Sequence, residues 1–466
     1  MTRAGKCLSG LCRTPGAGWE FTGSAKARTR DGEYKHMPLK ASVSRAESNG
    51  RLGVLLAGMG AISTTLIAGI EAIKQGVGRP LGSLSQLALA PDIDPRHPVA
   101  LSDYLRLDRI ENLVFSGWDI NPGTAYDAAR RAAVIEPSLL EQLRPQLEAI
   151  EPMPGIYDPR YLRRGEGRRL KPETNQYEQA EALRQDIRAF QQRHQLRQVV
   201  VLWCGSTEVF STPGPAHQGQ RIFEAAMKAN DPSIAPSMLY AWAALQEGCA
   251  FVNATPTLTV DLPVMIELSE AHRAPICGKD LKTGQTWLKT VLAPGIRQRM
   301  LGVAGWFSMN ILGNQDGAVL DDPAAFRSKE ESKLSALNHI LQPELYPELY
   351  GHLSHQVKIN YYPPRGDNKE SWDTIDLLGW LGYPMQIKVN FLCRDSILAA
   401  PLLLDLALFS AAAQRAGRGG VQEWLAFFFK SPQVRAGRPE HDLSVQYQHL
   451  QAAWKELAEA AVGVTA

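Results

Sequence analysis

Gly53-Val54-Leu55-Leu56-Ala57-Gly58-Met59-Gly60-Ala61-Ile62-Ser63 is the stretch that decides the fold. A short apolar run leads into a Gly-x-Gly turn, and a helical pattern follows from Thr64 to Gln75. Strand, tight glycine turn and helix form the opening of a dinucleotide-binding unit. Gly58 and Gly60 place two residues without Cβ where a pyrophosphate must approach the backbone. The helix start after them, through Ala61 and Ser63, aims its free N–H groups at that charge. Taken alone, the fragment also describes a tight turn in any α/β protein. The third glycine is missing, with Ser63 or Thr64 in its place, and no acid follows about twenty positions on to hold a ribose. Asp119, at the tip of a later strand, is the candidate for that carboxylate; its plainer alternative is a helix-capping or loop aspartate.

Outward from this unit, Asn112 to Ile120 is strand-like and Thr124 to Ile135 helical, and residues 136–196 are rich in charge and Pro before a helix over about Gln176 to Gln195. Gln198 to Trp203 is the clearest buried strand, and Cys249 to Ala254 is another. Alternating strands and helices up to about residue 280 predict a parallel sheet covered on both faces. From 290 to 400 the texture turns β-rich, with strands at Met300 to Ile311, Gln356 to Tyr362 and Met385 to Cys393. An α+β insertion with an open sheet is expected there, a surface two subunits could share. The apolar run Leu398 to Ala413, interrupted by Asp405, reads as a buried core helix too short to span a bilayer.

The chain has 466 residues, beyond the usual limit for one core. Its 50 Lys+Arg nearly balance 48 Asp+Glu, and no basic stripe interleaves with aromatics, so a nucleic-acid partner is not expected. The six cysteines (Cys7, Cys12, Cys204, Cys249, Cys277, Cys393) form no CxxC pair. Neither a structural zinc site nor a disulfide scaffold is expected, and a reducing cytoplasm fits that usage. Residues 1–50 are basic at first, carry no apolar h-region, and read as a disordered extension rather than a secretory signal.

Phe115-Ser-Gly-Trp-Asp-Ile-Asn-Pro122 resembles the GWDIN segment of the myo-inositol-phosphate synthase family. Further blocks follow in that family's order. Leu202-Trp-Cys-Gly-Ser-Thr-Glu-Val-Phe210 is similar to LWTANTERF, and Gly278-Lys-Asp-Leu-Lys-Thr-Gly-Gln-Thr286 to GDDFKSGQT. Leu312-Gly-Asn-Gln-Asp-Gly317 and Phe326-Arg-Ser-Lys-Glu-Glu-Ser-Lys333 resemble LGNNDG and FRSKEISK. Gly366-Asp-Asn-Lys369, Cys393-Arg-Asp-Ser396 and Phe429-Lys-Ser-Pro432 resemble GDSK, CEDS and LKAP. Each block is unspecific; the ordered set, from about residue 51 to 432, is specific. The resemblance implies an α/β fold: a Rossmann-like NAD-binding domain interrupted by an α+β catalytic and oligomerisation domain. The expected division is 51–286, 287–399 and a helical 400–466 returning to the first domain. It implies a homotetramer, a sugar-phosphate substrate, and no membrane or metal. NAD would lie against Gly58, Gly60, Ala61, Ser63, Asp119, Ser206, Thr207, Asp280, Asn314, Gln315, Asp316, Gly366, Asp367, Asp395 and Ser396. Thr283, Gly284, Gln285 and Thr286 would cradle the sugar phosphate.

The implied reaction oxidises C5 of glucose 6-phosphate, enolises toward C6, closes the ring by aldol attack on C1 and reduces C5 again. Cations are needed wherever oxygen becomes anionic. By resemblance, Lys329 and Lys369 serve the C5 oxygen and its proton relay, and Lys333 and Lys430 the C1 oxygen and the phosphate. Lys329 and Lys333 are four apart in a helical pattern and share a face; alone they also fit a solvated helix. Asp367 is expected to orient Lys369. Lys430 follows Phe427-Phe428-Phe429, and crowding with desolvation is expected to depress one lysine's pKa. Asp395 also fits an N-cap. The chain departs from the family in its shorter glycine loop, in Asn253-Ala-Thr-Pro256 for NGSP, in Cys204 for a threonine and in Trp287 for a lysine. Those departures leave open a cyclase acting on another sugar phosphate, a non-catalytic NAD-binding oligomer and a plain dehydrogenase.

Overall fold

The computed structural model describes residues 26–28, 34–36, 50–92, 96–163, 165–320 and 336–463. Within the extension expected to lack order, Lys26–Arg28 pairs antiparallel with Tyr34–His36, in a unit distinct from Ser48–Ala466. Cys7, Cys12, Lys329 and Lys333 lie outside the described residues.

The glycine-turn reading holds. Strand β1 (Arg51–Ala57) runs into helix α1 (Ala61–Lys74). Five further parallel strands join it: β2 (Leu113–Asp119), β3 (Met153–Pro154), β4 (Leu196–Trp203), β5 (Ala250–Asn253) and β6 (Pro275–Cys277). Their spatial order is β3-β2-β1-β4-β5-β6, the doubly wound arrangement in which the strand order switches direction between β1 and β4. Strand alternation sends Leu52, Val54 and Leu56 into one core and Leu55 and Ala57 into the other. Both faces therefore need a helical cover. On one side that cover includes α1; on the other it is α3 (Gln176–His194), α4 (Pro236–Gln246) and α5 (Pro263–Ala271). Helix α2 (Ala125–Ala132) starts at a capping box of Thr124 and Asp127, and α3 at Asn175, whose side chain accepts from the Tyr177 and Glu178 N–H groups.

Helix α6 (Gly284–Gln298) leads to a second, four-stranded sheet: β7 (Gly302–Leu312), β8 (Ser354–Tyr361), β9 (Asn368–Leu378) and β10 (Pro384–Arg394), in the order β8-β7-β9-β10. β8 runs parallel to β7, whereas β9 is antiparallel to both neighbours. Sequence patterning missed β9, and the reason is physical. Its inward residues are Lys369, Ser371, Asp373, Ile375 and Leu377, all buried, so the first half of its core face is polar. Apolar alternation cannot reveal a strand whose inner face carries a site.

The chain returns through α7 (Asp395–Arg415), adds β11 (Gly420–Val421) beside β6, and ends in α8 (Leu443–Gly463). At 21 residues α7 is longer than expected, and by length and composition it is long and apolar enough to cross a bilayer. The core reading of its sequence nonetheless stands: most of it is buried beneath the first sheet. Asp405, fully buried, accepts from Ser83 Oγ (2.6 Å), Leu84 N–H (2.7 Å) and Ser85 N–H (2.9 Å). The divisions expected at 286/287 and 399/400 fall inside α6 and α7. Each helix continues from one sheet's territory to the other's, and Ser48–Ala466 forms one compact unit.

Candidate active site

The cofactor end lies at the carboxyl ends of β1, β2 and β4. Gly58 has φ +99°, and a Cβ on it would stand 2.7 Å from the Gly205 Cα. Only glycine lets the β1 and β4 loops meet at this switch in strand order. Ser63 and Thr64, which occupy the place of the missing glycine, donate their hydroxyls back to Gly58 O (2.6 Å) and Gly60 O (2.9 Å). They hold the turn by side-chain bonds instead. Gly60 is the N-cap of α1, with no side-chain cap and no acid in the first turn, and a Cβ placed on it would meet nothing within 4 Å. This is an open helix start with room for an anion. Asp119, the candidate for the acid missing after α1, stands at the tip of β2, which residues 75–112 separate from α1 along the sequence. Its Oδ2 accepts from Met59 N–H at 2.7 Å, and its Oδ1 from Asn121 N–H at 2.7 Å. On the β4 loop, Ser206 is exposed and Thr207 buried. Cys204 behaves as a core thiol, with burial pushing its pKa up to about 12.

The second end is built on the loop from Gly278 into α6. Asp280, at φ +60°, is buried against Lys430: Lys430 N–H donates to Asp280 O (2.6 Å) and Lys430 Nζ to Asp280 Oδ1 (2.9 Å). Four residues on, Gly284 (φ +51°) opens α6, and a Cβ there would lie 3.8 Å from Lys369 Nζ. Lys369, from the start of β9, and Lys430, from the loop after β11, thus reach the same five-residue loop from different elements. Thr283 is the N-cap of α6 with no side-chain cap bond, and no acid lies in the first turn. Its backbone donors, with buried Thr283 and Thr286 beside them, suit a phosphate. Gln285 does not offer its side chain. Its amide donates to Asp373 Oδ2 (2.9 Å) and Met309 O (3.1 Å) and its oxygen accepts from Asn310, pinning α6 to the second sheet.

Lys369 is oriented by Asp395, whose Oδ2 stands 3.2 Å from Nζ, rather than by Asp367 as expected. Asp367 instead joins three segments: its Oδ1 accepts from Asn314 Nδ2 (2.9 Å) and Ser396 Oγ (3.0 Å). Its Oδ2 is buried with no partner among the described residues, and burial raises its pKa against those two bonds. Gly366 O accepts the Gly313 N–H at 3.0 Å, and a Cβ on Gly313 would lie 2.3 Å from Tyr362 O, so the two loops interlock. Asp395 is the first residue of α7, and Arg394, not Asp395, is its N-cap. Gln315 and Asp316 begin the short helix Gln315–Leu320. Among the described residues no cluster of His, Cys, Asp or Glu has metal-ligating geometry.

Two buried lysines that the sequence reading did not single out have depressed pKa values. Lys282, 5% exposed, donates Nζ to Gln446 Oε1, and burial lowers its pKa to about 7 against the attraction of Glu440. Lys289 sits 2.8 Å from His355 Nε2; burial lowers it to about 8 against Asp373, and burial with the nearby ammonium takes His355 to about 3. A signal existed for both. Lys282 lies inside the Gly278–Thr286 block, and Lys289 is four residues beyond Gln285 on the same helix face.

A sequence profile described as Myo-inositol-1-phosphate synthase matches residues 52–455. The chain belongs to that family. The chain is 50% identical over 404 residues to Inositol-3-phosphate synthase 1 of Bacteroides thetaiotaomicron, covering 86% of this chain and 94% of that protein. Against Inositol-3-phosphate synthase 1 of Homo sapiens the identity is 34% over 423 residues, 84% of this chain and 75% of the human protein. The crystal structure of inositol-3-phosphate synthase from Caenorhabditis elegans superposes with a TM-score of 0.81 at 29% identity, covering 94% of this chain and 91% of that one. The motif resemblance, the α/β fold and the expectation of NAD as cofactor all agree with this membership.

Proposed function

We propose that this chain converts D-glucose 6-phosphate to 1D-myo-inositol 3-phosphate, an NAD-dependent isomerisation proceeding by oxidation at C5, enolisation, aldol closure of C6 on C1 and re-reduction. One observation carries the reading: two buried lysines from different elements, Lys369 and Lys430, converge on the loop that ends in the uncapped start of α6. A plain nucleotide binder has no use for such a pair.

The residues present fit NAD. The open start of α1 beyond Gly58 and Gly60 takes the pyrophosphate, Asp119 accepts the ribose hydroxyls, and Ser206 and Thr207 line the same mouth. Asp367, with its unpartnered buried oxygen, closes the far end together with Asn314, Asp395 and Ser396. When bound, NAD takes hydride from C5 and later returns it. Lys369, held by Asp395, neutralises the C5 oxygen and passes its proton. Lys430, held by Asp280, faces the C1 oxygen as the ring closes. The α6 start binds the phosphate through Thr283, Gly284 and Thr286. Lys329 and Lys333 complete the cation set in this proposal. Fixed ammonium groups shielded from water favour the anionic transition states without reorganising.

A homotetramer in the cytoplasm belongs to the same reading. Trp372 and Leu392 are exposed on the outward face of the second sheet, and Trp380 and Leu381 stand out at the β9–β10 turn. An apolar area of this kind fits a subunit interface. The test incubates purified protein with NAD and glucose 6-phosphate. The expected result is an inositol phosphate with no net absorbance change at the NADH band. Steady build-up of NADH, or no cyclitol from this sugar while another sugar phosphate is cyclised, overturns it.

A further inference from the structure

Glu208 follows Ser206 and Thr207 on the β4 loop and is only 3% exposed. A carboxyl buried next to a cofactor loop requires a reason, because desolvation disfavours its charge. Its two oxygens face the start of α4: Oε1 accepts the Ser237 N–H at 2.9 Å and Oε2 the Ser237 hydroxyl at 2.6 Å. The Ser237 oxygen in turn accepts from Thr259 Oγ1 at 3.0 Å, and the Glu208 N–H donates to Thr257 Oγ1 at 3.2 Å. From Thr257 the bonds continue to the catalytic loop. Asn253 Nδ2 donates to Thr257 O (2.7 Å), Asn253 Oδ1 accepts from Thr255 N–H (3.0 Å), and Thr255 O accepts the Asp280 N–H (3.0 Å). Asp280 is the partner of Lys430. One buried polar chain therefore runs from the cofactor loop to the lysine end, through the Asn253-Ala-Thr-Pro256 segment where this protein departs from its family.

We infer that Glu208 is a positioning residue: its carboxylate, through Ser237 and the 253–259 segment, sets the Ser206–Thr207 loop and the Asp280–Lys430 pair in register with one another. The inference rests on the reading of those residues given under Proposed function. Direction in the chain depends on charge. An ionised Glu208 accepts both Ser237 donors and orders the hydroxyls from Thr259 through Ser237 toward itself. A protonated Glu208 must give a hydrogen to Ser237 or lose one of its two bonds. The groups facing it are Asp158, which opposes its charge, and the phenols Tyr161 and Tyr240; burial, the larger cause, raises its pKa to about 7 despite the Ser237 bonds. The register is therefore kept above neutrality and relaxed below it.

The experiment compares wild type with Glu208→Gln, measuring NAD affinity by calorimetry and kcat by product formation between pH 6 and 8.5, with Tm recorded at each pH. Wild-type NAD affinity is expected to rise through an inflection near pH 7. In Glu208→Gln the inflection disappears, affinity is about tenfold weaker at pH 8, and kcat falls with it. Should Glu208→Gln fail to fold, Ser237→Ala, which keeps the N–H and removes the hydroxyl, is expected to shift the inflection. Wild-type affinity with an unchanged inflection in the folded variant overturns the inference, as does a loss that follows Tm alone at every pH. If wild type itself fails to bind NAD, the functional reading falls, a result distinct from either.

Discussion

The two sheets solve opposite problems with the same strand geometry. In the first, β4 is buried along nearly its whole length, both faces are covered by helices, and side chains do nothing but pack. The cofactor end proposed for it sits at the strand ends, in loops where Gly58, Asp119 and Ser206 emerge. In the second sheet, β10 is exposed along most of its length, one face lies open, and β9 turns the polar side chains of Lys369, Ser371 and Asp373 inward from the strand itself. A closed sheet gives rigid ends and leaves chemistry to loops. The open sheet gives rigid side chains, and it leaves exposed an apolar face, the one proposed to meet another subunit.

That contrast can be broken in graded ways. Lys369→Ala removes a cation from a strand rather than a loop; turnover is expected to fall about 10²–10³-fold, while NAD titration changes little. Near-normal turnover rejects the assigned role. Leu392→Asp places a charge on the open face, and light scattering is expected to show dissociation to smaller species, with the first sheet's fold retained by circular dichroism. An unchanged oligomer removes that face from the interface. Gly58→Ala strains the closed sheet at a positive φ and drives a Cβ against Gly205. A loss of roughly 1–3 kcal/mol is expected, read by denaturant melts, with weakened NAD binding.

The smallest effect concerns α7, the helix that both sheets share. Burial raises Asp405 to about 6 against its hydrogen bonds to Ser83, Leu84 and Ser85. Because the folded value exceeds the ordinary carboxylate value, the native state holds the proton more tightly than the unfolded chain. The contribution to stability is therefore full below about pH 4 and is lost as pH rises through about 6. Asp405→Asn is expected to flatten this dependence while costing about 1–3 kcal/mol through a donor left unpaired. A Tm profile between pH 4 and 7 identical to wild type removes Asp405 as its source.

Much of the first sheet was legible because its strands are runs of apolar residues with one meaning. Gln198 to Trp203 reads most clearly as a buried strand, and the helix expected over about Gln176 to Gln195 ends at His194, one residue short. The second sheet was half legible. β7, β8 and β10 were visible, but β9 was not, since Ser371 and Asp373 stand inward where apolar residues are the usual sign. Site membership followed from motif order, whereas partnership did not. Lys369 was assigned to the adjacent Asp367, yet its partner is Asp395 on another element. Burial also lowers the pKa of Lys282 and Lys289, and that burial depends on helix packing.

From its residues alone, this protein declared a nucleotide-binding α/β sheet, its family and the types of side chain its chemistry uses. These depend on local pattern: alternation, glycine at turns and blocks of a few residues. Only the tertiary structure decided which carboxylate meets which lysine, which amines lose their solvent and which apolar face stays open. Those outcomes hinge on contacts between segments far apart in sequence, as in Lys430 with Asp280 or Asp405 with Ser83. Desolvation and Coulomb energy act through space, and no spacing along the chain encodes the distance they depend on.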